Sequence, residues 1–356
     1  MQEVHAALLG LSHPHSLAHL RTLQAVSEVA SITLWDEDEA LLQETVRSQG
    51  EKISGTTTDL ASVLGQEQIL FVVAALRNDL GPPIFMRALD AGKHVITDKP
   101  IGKTAVESAE VAAAARREQC KLGVFYQNRS LPPIQDARRI VEQGLIGELV
   151  SVEMRMVTTQ VQVRNPRHWL FNQDKAGGGI LSWLGCHYID QILNITQDEI
   201  VSVAAQIATR SGEDIDVEDV AALSLGFASG AVGTFHAGYM LSMSGGGYHN
   251  AVGYDTYVSV NGRLGRITYS SNGTPTSIDV ESSHPSWASA PRRTFDYTFG
   301  DSPAYGGASG EAFLRAFIDA CQGKGEPLAT GEDAVRVAKV VDAAYESSRS
   351  GQRIDI

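Results

Sequence analysis

Two residues stand out for the chemistry they could do. Lys99 follows the short β-like run His94–Ile96, in the segment Thr97-Asp98-Lys99-Pro100. A lysine just past the C-terminal end of a parallel strand lies where open α/β sheets bind ligands. An amine held out of water there can take or give a proton. The following proline restricts its backbone and permits a cis turn. His187 lies in Gly177-Gly178-Gly179-Ile180-Leu181-Ser182-Trp183-Leu184-Gly185-Cys186-His187-Tyr188-Ile189-Asp190. The spacing predicts one helix with a glycine-rich start, with Trp183, His187 and Asp190 on one face and the glycines admitting a ligand close to the backbone. Taken alone, Lys99 reads as a surface loop lysine and His187 as a core histidine.

A third constellation is Gly10-Leu11-Ser12-His13-Pro14-His15-Ser16. It follows the apolar run Val4–Leu9 and opens a helix, the place where a dinucleotide fold sets its pyrophosphate against free backbone N–H groups. Only Gly10 survives from a G-x-G-x-x-G pattern; Ser12 and Ser16 could fill the other two sites in a loop one residue longer. Asp36 closes the second β-rich run, where a carboxylate could accept from a ribose diol and repel a 2′-phosphate, favouring NAD over NADP. The alternative is an ordinary strand–helix turn with an aspartate at a strand end. His13, His15 and His19 lie at this loop–helix junction without a nearby cysteine or paired carboxylate, so the sequence gives no reason to read a metal site.

The elements that must position these residues alternate strand and helix over residues 1–125, the pattern of a doubly wound parallel sheet. Strand-like runs at Ala30–Trp35, Ile69–Ala74 and Lys121–Tyr126 alternate with helical spacing at Ser16–Val26, Glu39–Ser48, Pro82–Ala91 and Thr104–Arg117, and Asp59 is a helix N-cap. From about residue 148 the texture changes. Leu149–Thr158 alternates as a half-exposed strand. Ile200–Tyr297 carries several β-like runs with turns at Ser229-Gly230 and Asn261-Gly262, and Glu311–Ser348 returns to helix with Phe313, Phe317, Ala320 and Cys321 on one face. The expectation is a Rossmann domain over 1–125, then a domain over 126–356 with an open, mostly antiparallel sheet and a C-terminal helix packing back.

Composition narrows the function. The 356 residues carry 42 acidic and 29 basic side chains, a formal charge of −13, which disfavours nucleic acid and anionic membranes as partners. No apolar stretch is long enough to span a bilayer, and the N-terminus lacks a secretory pattern. Cys120, Cys186 and Cys321 form no CxxC pair, so a reducing cytoplasm is expected.

Together these features resemble the glucose–fructose oxidoreductase, inositol dehydrogenase and rhizopine catabolism (Gfo/Idh/MocA) family. Ala88-Leu89-Asp90-Ala91-Gly92-Lys93-His94-Val95 leading into Asp98-Lys99-Pro100 is similar to its lysine segment, with Asp where Glu is usual. Gly178-Gly179 through His187 to Asp190, Val217-Glu218-Asp219 and Ala344-Tyr345-Glu346-Ser347 are similar to further signatures. The resemblance implies hydride transfer between a nicotinamide cofactor, NAD rather than NADP, and a sugar, glycoside or cyclitol hydroxyl or ketone. It implies that Lys99 hydrogen-bonds the reacting oxygen and that His187 does so from the other domain. Gly10, Ser12, His13, Pro14, His15, Asp36, Ala75, Asp98 and Lys99 are the expected cofactor residues. Tyr126, Asn128, Arg164, His168, Trp169, Trp183, His187, Asp190 and His236 are the expected substrate residues. No metal is expected, and the open sheet implies a homodimer or homotetramer. One departure matters: Trp183 stands where the family usually has an aspartate. That leaves room for two other functions of the same fold, an NAD-dependent glycosidase working by transient oxidation and a non-catalytic NAD or sugar sensor.

Overall fold

The computed structural model describes residues 3–242 and 253–356. They form two compact units, one of residues 3–130 with 299–335, the other of residues 131–242 and 253–298 with 336–356.

The first unit holds a six-stranded parallel sheet of order β3-β2-β1-β4-β5-β6. Its strands are β1 (Val4–Leu9), β2 (Val29–Trp35), β3 (Ile53–Thr57), β4 (Ile69–Ala74), β5 (His94–Thr97) and β6 (Leu122–Val124). The helices between them are α1 (Ser16–Ala25), α2 (Glu39–Gln49), α3 (Leu60–Leu64), α4 (Gly81–Asp90) and α5 (Ala105–Arg117). Local chemistry sets their starts: Asp38, Asp59 and Thr104 each accept a backbone N–H at an N-cap. The chain order reverses between β1 and β4, so the loops after those strands flank the crevice where doubly wound sheets bind ligands. Strand β3 is short and half-buried, without the apolar run that marks the others, and sequence patterning passes over it.

The second unit is built on a nine-stranded sheet of order β14-β13-β12-β11-β7-β10-β9-β8-β15. It runs from β7 (Leu149–Thr159) and β8 (Ile200–Ala208) through β9 (Val220–Phe227), β10 (Val232–Leu241), β11 (Tyr254–Gly262), β12 (Gly265–Ser271), β13 (Ser277–Ser282) and β14 (Arg292–Asp296) to β15 (Ile354–Asp355). Only the β7–β10 pair is parallel; the other neighbours are antiparallel. Helices α6 (Pro132–Glu142), α7 (Gln173–Ala176) and α8 (Cys186–Thr196) belong to this unit, and α6 and α8 pack together. Alternation along β7 and β10 buries Val152, Met154, Met156, Phe235 and Ala237. Glu153, Arg155, Thr234 and His236 face the other way and line a broad depression with Ala222, Ser224 and Gln206.

The C-terminal region is two helices rather than one. Helix α9 (Gly307–Cys321) lies in the first unit, and α10 (Gly331–Ser350) runs from the first unit into the second. On α9, Phe317 meets Phe71 edge-on and Phe313 meets Phe125, which places the expected apolar face against the parallel sheet. The hairpin expected at Asn261-Gly262 turns two residues later: Gly262 pairs with Gly265 around Arg263-Leu264. Part of the β-rich stretch, residues 243–252, lies outside the described residues. No helix among the described residues is long and apolar enough to cross a membrane.

Candidate functional site

In the first unit the loop after β1 is fixed from three sides. Gly10 has φ +91, and a Cβ there would stand 2.4 Å from the Ala75 carbonyl oxygen, so only glycine lets β1 leave the sheet beside the β4 end. Ala75 N–H donates to Leu9 O at 2.9 Å and ties the two strand ends together. Asp36 accepts from Leu11 N at 2.7 Å through Oδ2 and from Asp38 N at 2.9 Å through Oδ1. Each carboxylate oxygen keeps a further lone pair, so Asp36 can brace the loop and still accept from a diol. The loop then enters α1 at Ser16, whose own N–H donates to His13 O at 3.0 Å while His15 makes no side-chain cap. A glycine turn with no room for a side chain, a helix N-terminus and an acid at the end of β2 fit a dinucleotide cofactor.

Beneath this loop the side chains of His13 and His15 turn inward, 4% and 5% exposed. His15 Nδ1 lies 2.7 Å from Asp98 Oδ2, and His19 Nε2 lies 2.8 Å from the same oxygen. The His15 side chain is therefore engaged beneath the loop, and its backbone N–H donates to His13 Nδ1 at 3.2 Å. His19, absent from the expected site, was detectable as the residue one helical turn after His15. The Tyr305 ring lies 4.7 Å from that of His15, and Phe125 lies 4.3 Å from His19.

The Asp98-Lys99-Pro100 turn leaves β5 with a cis Lys99–Pro100 bond. Asp98 Oδ1 accepts from Lys99 N at 2.8 Å and stands 4.0 Å from Lys99 Nζ. Lys99 is 1% exposed, so this is no solvated loop lysine. Burial alone would push the Asp98 carboxyl up; the charge and hydrogen bond of His15, the hydrogen bond of His19 and the charge of Lys99 bring it well below its ordinary value. Burial holds His13 well below, and His15 below, the usual imidazole value. The result is a carboxylate held in its ionised form beside a buried amine. Tyr126 is buried at the end of β6, and Asn128 is half-buried in the 3₁₀ turn Gln127–Ser130 that follows.

In the second unit the predicted helix forms from Ile180 onward, with one wider turn in it. Gly177, left-handed at φ +81, ends α7; a π-turn follows at Leu181–Gly185, and α8 starts at Cys186. Such π-turns re-aim the side chains that follow and recur at functional sites. The glycines serve protein rather than ligand. A Cβ on Gly178 would lie 2.0 Å from Tyr345 Oη, and one on Gly179 would lie 1.9 Å from Glu218 O. Glu218 accepts from Gly179 N at 2.7 Å and Leu181 N at 2.8 Å, and the Tyr345 hydroxyl donates to it at 3.0 Å. Glu218 and Tyr345 thus fasten the turn that leads into the His187 helix. The sequence signal was present in Val217-Glu218-Asp219 and Ala344-Tyr345-Glu346-Ser347, two segments with no visible link until the fold joins them.

The other expected substrate residues separate into two groups. His187 (8% exposed), Asp190 (0%) and Trp183 (1%) are buried on or before α8. Trp183 meets Trp169 edge-on at 6.0 Å, and half-buried His168 lies 5.5 Å from Trp169 while its Nδ1 accepts from Leu170 N. Trp183 is therefore a packing residue, not an open platform for a sugar ring. Arg164 donates to Thr159 O at 3.0 Å and Thr158 Oγ1 at 2.7 Å, with its guanidinium over the Tyr239 ring, so it secures the end of β7. His236 corrects the expectation most clearly. Its neighbour Phe235 lies against Gly185 of the π-turn, and strand alternation puts His236 on the opposite face of the sheet, away from His187.

A parallel sheet of this order, a glycine-bounded loop at a helix N-terminus and a buried lysine at a strand end define a dinucleotide-binding protein equipped for proton transfer. The comparisons agree. Residues 4–126 match the model of an oxidoreductase family with an NAD-binding Rossmann fold, and residues 134–268 match the Gfo/Idh/MocA C-terminal domain. The chain belongs to the Gfo/Idh/MocA family of NAD-dependent oxidoreductases. It is 25% identical to levoglucosan dehydrogenase of Pseudarthrobacter phenanthrenivorans over 301 residues, 76% of this chain and 74% of the relative. It is also 25% identical to 1,5-anhydro-D-fructose reductase of Ensifer adhaerens over 312 residues, 85% of each. A solved levoglucosan dehydrogenase in complex with NADH and levoglucosan shares the fold at a TM-score of 0.87 and 23% identity, with both chains fully covered.

Proposed function

We propose that this oxidoreductase interconverts a hydroxyl and a ketone on a sugar, glycoside or cyclitol, with NAD as the hydride carrier. The observation that carries the reading is the buried Lys99 beside the Asp98 anion, at the end of a strand in an NAD-binding sheet. Sugar-named relatives, a levoglucosan dehydrogenase and a 1,5-anhydro-D-fructose reductase among them, support the substrate class.

The loop Gly10, Ser12, His13, Pro14 and His15, with Ala75 across from it, is assigned to the cofactor pyrophosphate. Asp36 is assigned to the ribose diol, which favours NAD over NADP. When bound, the nicotinamide supplies hydride acceptance and donation. Hydride leaves an alcohol carbon only as the O–H proton is withdrawn. Lys99 is assigned to take that proton at Nζ during oxidation and return it during reduction, with Asp98 fixing the amine. His187 is assigned as the second proton-handling group, on a helix start held by Glu218. Tyr126, Asn128, His168, Trp169 and Asp190 remain candidate substrate residues. Trp183 supplies no proton.

The same reading makes the exposed face of the nine-stranded sheet a contact between copies, as a homodimer or homotetramer, and the thiols of Cys120, Cys186 and Cys321, which form no disulfide, fit a reducing cytoplasm. The deciding experiment is Lys99→Ala, assayed by NADH formation over a panel of sugars and cyclitols. Turnover should fall about 100-fold or more, the scale of general acid–base residues, with NADH affinity retained. Unchanged turnover would remove Lys99 from the chemistry, and no turnover on any polyol by the unaltered protein would sink the substrate class.

A further inference from the structure

The histidines under the nucleotide loop gain from the fold what the sequence withholds. His13, His15 and His19 have no carboxylate near them in the chain, and the sheet brings one from 83 residues beyond His15. One donor atom from each of His13, His15 and Asp98 lies within 4.8 Å of the other two, and all three residues are buried. His19 Nε2 adds a fourth donor, 2.8 Å from the Asp98 oxygen that His15 Nδ1 approaches to 2.7 Å.

Imidazole nitrogens with a single carboxylate are the ligand set of zinc and its first-row neighbours; magnesium and calcium require mostly oxygen. In a tetrahedral site with bonds of about 2.0–2.2 Å, ligand atoms stand roughly 3.3–3.6 Å apart. The separations here bracket that range, from 2.7 Å for His15–Asp98 to the 4.8 Å limit. An opening of about 0.6 Å between His15 and Asp98, and a closing of up to about 1.2 Å at the cluster's longest separation, would make a cage. The loop partners hold the frame: His13 Nδ1 accepts from His15 N at 3.2 Å, and Tyr305 covers the His15 ring.

We propose that His13, His15 and Asp98, with His19 in support, form a site for a zinc-class divalent ion. The ion would fasten the loop after β1 to the turn after β5. His15 would pass from donating to Asp98 to coordinating through the same nitrogen, its ring proton moving to the other nitrogen. Lys99 would keep its place near the second carboxylate oxygen, 4.0 Å away. This site does not depend on the sugar reading above.

The test uses the purified full chain, cleared of metal with a chelator and dialysed against micromolar Zn²⁺ or Co²⁺. One ion per chain, with the intense visible bands of tetrahedral Co²⁺, is the expected result. Affinity should fall at least about 10-fold in His13→Gln and in His15→Gln, and stay unchanged in His284→Gln, which alters a half-buried histidine of the other unit. The unaltered chain offers a test independent of any variant's folding: its Tm should rise with Zn²⁺ concentration, as for any ligand of the native state. No retained ion, an unmoved Tm, or equal retention in the His13 and His15 variants would overturn the site; loss in His284→Gln alone would mark surface binding and overturn it too.

Discussion

Glu218→Gln tests whether the His187 helix is held from behind. Glu218 is buried, and its two oxygens accept from the amides of Gly179 and Leu181 and from the Tyr345 hydroxyl. Glutamine keeps the shape but has one acceptor oxygen. Its NH₂ must then face one of the two amides, donor against donor. An orphaned buried amide costs about 1–3 kcal/mol, and losing a charged acceptor adds to this, so a loss of about 2–4 kcal/mol is expected. At roughly 2–4 °C per kcal/mol for a domain of this size, Tm of the second unit should fall by about 5–15 °C. The cost should also depend on pH. Burial pushes the Glu218 carboxyl above its ordinary value, against the pull of the Leu181 and Gly179 amides. A raised folded value means that the folded state binds the proton more tightly than the unfolded chain. Stability then falls as pH rises from the ordinary carboxyl value of 4.5 through the folded value, and is flat above it. Glutamine abolishes that slope, so the gap between wild type and variant is widest at the acid end. Differential scanning calorimetry across the acid range reads both effects, and steady-state kinetics should show kcat falling while NADH affinity, a property of the first unit, stays. A variant as stable and active as wild type, with an unaltered pH slope, would refute the view that Glu218 fastens this turn.

The remaining expectations concern the loop and the sheet. Gly10→Ala forces a Cβ to 2.4 Å from the Ala75 oxygen at φ +91, so NADH affinity by fluorescence titration should weaken at least about 10-fold, and equal affinity would remove the loop from the cofactor site. Asp36→Asn can still accept from Leu11 N but no longer repels a 2′-phosphate; the kcat/KM ratio of NADP to NAD should rise about 10-fold or more, and an unmoved ratio would show that Asp36 does not face the ribose. His236→Ala should leave the sugar KM unchanged and weaken self-association by light scattering, since His236 shares the open sheet face with Arg155 and Thr234; a raised KM with unaltered mass would return it to the substrate site.

The first unit was largely legible from the chain because most of its strands are apolar on both sides and α2, α3 and α5 carry side-chain caps. Ile69–Ala74 reads as a strand on pattern alone, and Asp59 caps α3 as its chemistry requires. The exception, β3, lies on the sheet edge and is only half-buried, so pattern has little to act on. The site was legible in types but not in partners. Lys99 could be placed at a strand end, yet neither its burial nor the convergence of His15 and His19 on the neighbouring Asp98 could be read from the chain. A carboxylate adjacent in sequence to the lysine is visible; two histidines more than 70 residues upstream bonding to it are not.

The second unit shows why spacing alone misleads at a π-turn. Periodicity placed Trp183, His187 and Asp190 on one face of a regular helix, whereas the helix that follows the glycines carries a π-turn at Leu181–Gly185. The glycines are instead consumed by Tyr345 and Glu218, and the chain takes a wider turn before α8 begins. Trp183 lies within that turn, at 1% exposure and edge-on to Trp169, so the position where the resemblance led us to expect an acid is filled with packed aromatic surface. A buried carboxylate in such surroundings would need a partner or would stay protonated. Under the proposed function the second unit therefore contributes one proton-handling side chain, His187, and the weight of proton transfer moves to Lys99 and the carboxylate that holds it.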